Sequence, residues 1–269
     1  MAICLITGCS SGFGEAIALA FADRGDTVVA TMRNPAAAPA SLAGHDRVEL
    51  AALDVTDATA RKAVIADVMA RHGRIDILVN NAGIVASASV EDTPEEVSRK
   101  IFDTNYFAPV ELMRAVLPIM RDQGGGRIVN VTAIGAILVT PLLSIYCASK
   151  HALDSASASV DLEGRPFGVR APSVLPGQFK TSIADKSPPP IVTPPYQGIA
   201  DSLAASREAR AADVQSDLSQ VIDAVIAAAT DADPKARYLA GIGIALELEA
   251  SLAELERLHA FDGARAGVA

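Results

Sequence analysis

The chain has 269 residues, half of them hydrophobic, with 32 acidic against 23 basic side chains and a formal net charge of −9. That length and apolar content suit one sizeable α/β core, while an acidic balance without clustered Lys or Arg argues against nucleic acid or an anionic membrane as partner. No tryptophan, four scattered histidines and three cysteines without CxxC spacing argue against a base-stacking platform, a metal centre and a disulfide framework, and place the chain in a reducing, cytoplasmic compartment.

Short β-branched runs alternate with longer amphipathic stretches, the pattern of βαβ units around a parallel sheet. Strands are predicted at 2–7, 27–31, 48–52, 75–80, 126–131, 168–175 and 237–240, and helices near 13–24, 57–72, 94–121, 144–163 and 213–230. The first apolar run starts at Ile3 and leaves no room for a signal peptide. It passes into TGCSSGFG at 7–14, directly between a strand and a helix. Gly8, Gly12 and Gly14 let the backbone turn tightly and approach a pyrophosphate, and the next helix offers its N–H groups to the phosphates. Gly8, Ser10, Ser11, Gly12, Phe13 and Gly14 are therefore candidate cofactor contacts.

The second strand ends in Thr31-Met32-Arg33. An NAD site needs an acid here for the ribose 2′-hydroxyl, whereas an NADP site needs a cation for the 2′-phosphate. Met32 stands where the acid would be and Arg33 follows, so NADP(H) is favoured over NAD(H). Residues 34–46, rich in Ala and Pro, are expected to form a surface loop. Thr93-Pro94-Glu95-Glu96 reads as a helix start, with Thr93 as cap, Pro94 in the first turn and Glu96 three residues after the cap.

Residues 128–149 carry no charge, yet Asn130, Gly135 and Pro141 make them strand, loop and helix start rather than a membrane span. Tyr146 and Lys150 then stand four apart in YCASK and share a helix face. Free tyrosine titrates near about 10; a neighbouring ammonium and an oxidised nicotinamide would favour the phenolate, allowing the hydroxyl to exchange a proton while hydride moves at carbon. Pro172, lacking an N–H, is out of place inside a central strand, which implies a later start or a bulge. Residues 182–212, with five prolines, form a connection long enough to be functional, and a lid over the substrate is expected there. No linker or repeat is evident, so 1–269 reads as a single domain.

Together TGCSSGFG, LDVTD at 53–57, NNAG at 80–83, Asn105, YCASK and PGQFKT at 176–181 resemble, in order and spacing, the short-chain dehydrogenase/reductase family. The resemblance implies a Rossmann-type, doubly wound sheet of seven parallel strands. It implies that Asp54 and Val55 bound the adenine pocket and that Asn81, Ala82 and Gly83 line the adenosine side of the cofactor. It further implies that Tyr146 is the acid/base, that Lys150 holds the nicotinamide ribose and lowers the tyrosine pKa, and that Asn105 anchors a water linking Lys150 to solvent. Pro176, Gly177 and Thr181 would border the nicotinamide. Helices 94–121 and 144–163 correspond to those through which the family forms homodimers or homotetramers. Phe167–Arg170 and YCASKHAL at 146–153 are similar to the steroid- and retinol-directed branch.

One position departs from the family. The serine that usually stands thirteen residues before the tyrosine, and bonds the substrate oxygen, is Ala133. Losing such a donor costs on the order of 10²–10³ in rate. Three explanations stay open: an engineered Ser-to-Ala change, a hydroxyl supplied by Thr132 or Ser144, or a weak enzyme or silent cofactor-binding relative. Thr132 is disfavoured because adjacent strand residues face opposite ways. The function expected is an NADP(H)-dependent alcohol dehydrogenase or ketone reductase acting on a small uncharged carbonyl or alcohol. The alternatives are a catalytically silent NADP(H)-binding or regulatory protein, and an isomerase or dehydratase on the same scaffold.

Overall fold

In a computed structural model, residues 1–179, 183, 187, 189–209 and 217–241 are described. The elements run β1 (Ile3–Ile6), α1 (Gly12–Asp23), β2 (Thr27–Met32), α2 (Ala40–Ala43), β3 (Val48–Ala52), α3 (Ala58–His72), β4 (Ile77–Asn80), α4 (Glu95–Phe102), α5 (Ala108–Asp122), β5 (Gly126–Val131), α6 (Ser144–Gly164), β6 (Val169–Arg170), β7 (Ser173–Pro176), α7 (Gln197–Ala209), α8 (Ser219–Thr230) and β8 (Arg237–Ala240). One parallel sheet has the order β3-β2-β1-β4-β5-β7-β8, with β6 also paired to β5. This is the doubly wound Rossmann-type arrangement.

The expected sixth strand is present as two short ones, β6 and β7, separated by Ala171-Pro172. Proline has no N–H for the ladder. The neighbouring backbone groups are satisfied from α6 instead: Ala171 N donates to Asp161 Oδ1 at 2.9 Å, and Ser157 Oγ donates to the Ala171 carbonyl at 2.8 Å. Pairing resumes when Asn130 N donates to Pro172 O at 3.0 Å.

Alternation along the buried central strands divides the core. Cys4 and Ile6 pack with Ile17 and Phe21 of α1 and Val221 and Val225 of α8. Ile3 and Leu5 pack on the other face with Val68 of α3, Val116 of α5 and Leu153 of α6. Strand order reverses between β1 and β4, so a crevice opens beyond their C-terminal ends.

Several expectations about element ends are corrected. The 94–121 helix is two helices, α4 and α5, joined by a π-helical turn at Asp103–Phe107. Its start moves one residue on: Pro94 occupies the cap position, and the Thr93 hydroxyl donates to the Ser89 carbonyl at 2.5 Å rather than capping. Residues 34–46 contain a 3₁₀ turn at Pro35–Ala37 and the short α2, whose Leu42 is fully buried. α8 begins at Ser219; residues 213–216 of the expected helix lie outside the described residues.

Candidate active site

β1 is followed by Thr7, whose buried hydroxyl locks two loops together. It donates to Val79 O at 3.3 Å and accepts from the amides of Asn81 at 3.0 Å and Ala82 at 3.1 Å. The Asn81 side chain returns the contact, donating through Nδ2 to Thr7 O at 2.9 Å and Gly8 O at 3.3 Å. Gly8 has φ +75°, and a Cβ there would stand 2.8 Å from Ala82 Cα. A Cβ on Gly14 would strike the Gly8 carbonyl and come within 2.5 Å of Asn81 Nδ2. These glycines let the 7–14 and 80–83 loops close on each other.

Cys9 N donates to Thr31 O at 2.9 Å, and burial pushes its thiol up to about 12, so it packs rather than reacts. The N-cap Ser11 makes no side-chain capping bond to α1. That helix end, with its positive dipole and glycine approach, is suited to a phosphate. Phe13 meets Phe179 edge-on at 5.5 Å, joining this loop to the chain after β7.

At the end of β2, Met32 is buried and Arg33 is exposed. Asp54 Oδ1 accepts from Thr56 N at 2.9 Å and Thr56 Oγ1 at 2.7 Å. Those bonds, aided by the charges of Arg33 and Lys100, hold its carboxyl below the ordinary value. The Val55 carbonyl accepts from Arg61 at 2.6 Å. Gly177 N donates to Ala240 O at 2.9 Å, fixing the turn after Pro176. Thr181 lies outside the described residues.

The first turns of α6 carry the second half of the site. Lys150 is 5% exposed; its Nζ donates to Val131 O at 3.1 Å and lies 5.9 Å from the centre of the Tyr146 ring. Burial brings its pKa down to about 8. The same cause raises Tyr146 above the ordinary phenol value. Burial thus dominates both groups and shifts each toward its neutral form.

Asn105 sits in the π-helical turn, fully buried. Its Oδ1 accepts from Ile84 N at 2.9 Å, while Nδ2 donates to Ile84 O at 2.9 Å and to Ser149 Oγ at 3.1 Å. Ser149 donates onward to the Tyr146 carbonyl at 2.7 Å, a link sequence reasoning missed. A Cβ on Gly83 would lie 3.4 Å from Asn105 Oδ1 and 3.5 Å from Lys150 Nζ, so both polar groups border the same small space.

Ala133 is half-buried in extended backbone, ahead of the 3₁₀ turn Ile134–Ala136. That turn abuts the tyrosine: a Cβ on Gly135 would be 3.5 Å from Tyr146 Cε1 and 3.3 Å from Cys147 Sγ. Thr132 cannot replace the missing hydroxyl, since its Oγ1 donates into the sheet at Val174 O, 3.0 Å away. Ser144 Oγ is buried with no partner among the described residues. Leu142, four residues before Tyr146, has φ +62° and is the one non-glycine described residue with positive φ. A buried leucine is an unusual occupant of that region, and nothing in its residue type announced it.

Comparison with known proteins gives one consistent result. A profile of the short chain dehydrogenase family matches residues 2–190. The chain is 39% identical over 189 residues to the oxidoreductase YusZ of Bacillus subtilis, covering 67% of this chain and 66% of that one. It is 36% identical over 184 residues to a 3-ketodihydrosphingosine reductase of Bacteroides thetaiotaomicron, covering 68% and 66%. The match thus spans just under two thirds of those relatives. The crystal structure of a short-chain dehydrogenase from Streptomyces avermitilis superposes with a TM-score of 0.79 at 33% identity, over 97% of this chain and 98% of that one.

Proposed function

This chain belongs to the short chain dehydrogenase family, whose members are oxidoreductases that bind a nicotinamide dinucleotide, and from that premise we propose that it interconverts a secondary alcohol and a ketone with NADP(H). The observation that carries the reading is the pair on α6, a buried Lys150 whose Nζ lies 5.9 Å from the ring centre of the half-buried Tyr146 and borders Gly83, in the loop that closes on the 7–14 glycine loop. Gly8 to Gly14 would receive the pyrophosphate, Arg33 the 2′-phosphate, and Asp54 with Val55 and Asn81 to Gly83 the adenosine side. Pro176 and Gly177 would border the nicotinamide, with the expected part of Thr181 carried over from the family pattern.

The dinucleotide supplies the hydride and, when oxidised, a positive ring. The rest is work for the chain's own residues. With its pKa raised by burial, Tyr146 is a neutral phenol at neutral pH, ready to donate its proton to a ketone oxygen. Lys150, with a pKa of about 8, can pass a proton toward the space beside Gly83 that it shares with Asn105. In the oxidative direction the tyrosine needs the added positive charge before it can accept a proton.

The substrate we infer is uncharged and apolar. Residues 128–149 bring no charge to the site, and Leu138 and Leu142 lie among them. The name of the Bacteroides relative, a 3-ketodihydrosphingosine reductase, supports a ketone as the reacting group. Among the described residues no helix is long and apolar enough to cross a membrane. We read the chain as a single-domain cytoplasmic enzyme, homodimeric or homotetrameric, with 182–212 over the substrate. A panel of apolar ketones with NADPH tests the reading, and Ala133→Ser should raise turnover on the order of 10²-fold or more. Arg33→Ala should weaken NADPH binding about tenfold and leave NADH unaffected.

One observation favours a second reading: Ala133 offers no donor to a substrate oxygen. A silent NADP(H)-binding protein would bind NADPH without turnover, and would still do so after Ala133→Ser. Product formation without net change in NADPH absorbance would instead indicate an isomerase or dehydratase.

A further inference from the structure

The chain between 189 and 196 crosses the loop that follows β4, and what holds it there is polar. Ile191 N donates to Ser87 O at 2.9 Å, and Ala88 and Ile191 form an isolated parallel bridge. Thr193 N donates to Asp92 Oδ2 at 3.2 Å, and its hydroxyl reaches both carboxylate oxygens at 2.9 and 3.1 Å. After a 3₁₀ turn at Pro194–Tyr196, the Tyr196 hydroxyl donates to Glu91 Oε2 at 2.7 Å. Asp92 is itself held, its amide donating to Ser89 Oγ at 2.9 Å.

Two facts give this clasp a consequence. First, none of the described residues in 189–209 is buried, so no apolar core retains the segment. Its attachment is at the low-stability end of the structure, where a few hydrogen bonds decide the population. Second, the loop it grips runs on to the catalytic face: Ala88 N donates to Leu142 O at 2.8 Å. Leu142 is the positive-φ residue one turn before Tyr146. A continuous backbone ladder therefore leads from Ile191 through Ala88 to the segment that sets the start of α6. Ile191, 36% exposed, is the apolar side chain that the ladder fixes beside this face.

We propose that Asp92 and Glu91 are positioning residues for the reaction: by clasping Thr193 and Tyr196 they hold 189–196 against the loop after β4, and this placement governs how well a large apolar ketone is held for Tyr146. The proposal rests on the reductase reading, since Tyr146 acts on a substrate only there. Neither carboxylate touches the reacting atoms. Their effect is on substrate affinity, and it grows with the substrate's reach.

Hydrogen exchange and steady-state kinetics on the full chain with NADPH test this together. In Thr193→Val, amides in 189–196 exchange faster while those of β4, β5 and α6 do not change. KM for 2-dodecanone rises about five- to tenfold with kcat within about twofold, and KM for 2-butanone moves less. Thr193→Ser restores both readouts. Asp92→Asn gives the same shift, and the double variant is no worse than either single one. Unchanged exchange in Thr193→Val, or additive effects in the double variant, overturns the clasp while wild-type turnover stands. Equal KM shifts for both ketones overturn the positioning role. Wild-type chain that reduces no ketone sinks the reductase reading and the positioning role with it, and exchange alone then reports whether the clasp exists.

Discussion

The glycine loop and the 189–196 segment touch the same loop after β4, yet they are held by opposite means. The first is locked by the buried Thr7 hydroxyl, the half-buried Asn81 amide and two glycines that admit no Cβ. The second has no buried described residue and hangs on two carboxylates and a short ladder. Interlocked backbone with buried polar partners is costly to deform, whereas exposed hydrogen bonds can break and re-form at little cost. The difference teaches where the chain is pre-organised and where it can adapt: fixed toward a constant cofactor, adjustable toward a variable substrate.

The sharpest way to break this comparison is to damage the locked side. Gly14→Ala drives a Cβ into the Gly8 carbonyl and toward the Asn81 amide. It should lower the melting temperature by several degrees and abolish NADPH binding, read by calorimetry and fluorescence quenching. A stable Gly14→Ala protein that binds NADPH normally would mean the loops are not interlocked as described.

A smaller effect sharpens the boundary between the two regions, at Lys150. Its pKa is depressed to about 8 from the usual lysine value, so between these pH values the unfolded chain binds more protons than the folded one. Stability from this group therefore rises as pH climbs from about 7 to 9, by about 1 kcal/mol, and is lost as the buried amine is forced to protonate at lower pH. Thermal melts of the wild type against Lys150→Met, compared across that range, check it: the difference between the two should shrink with rising pH. A constant difference would place Lys150 in a wetter site than the geometry shows.

Much of the sheet was legible because its residues obey local rules. Continuous apolar runs such as Ile3–Ile6 and Ile77–Val79, bounded by turn residues, read as central parallel strands, and Gly8 to Gly14 between strand and helix has few other uses. Pro172 announced a fault in the sixth strand, but not that Asp161 and Ser157 from α6 would satisfy the gap, because those partners are ten and fourteen residues from Ala171 and only the fold brings them there. The π-helical turn at Asn105 was hidden inside an unbroken helical pattern. On the substrate side, Asp92, Thr193 and Tyr196 are ordinary surface residues in sequence, and their pairing spans about a hundred residues that no periodicity connects. Electrostatics were the least legible: placing an ammonium near a phenol by spacing alone overlooked the burial that raises Tyr146 and lowers Lys150.

Tyr146 as proton donor beside a bound dinucleotide is the central assignment, and single-turnover NADPH oxidation with an apolar ketone measures it directly. Tyr146→Phe should slow the hydride step on the order of 10²–10⁴-fold while NADPH binds as tightly as in the wild type. An unchanged rate in that variant would contradict the assignment of the proton to this phenol.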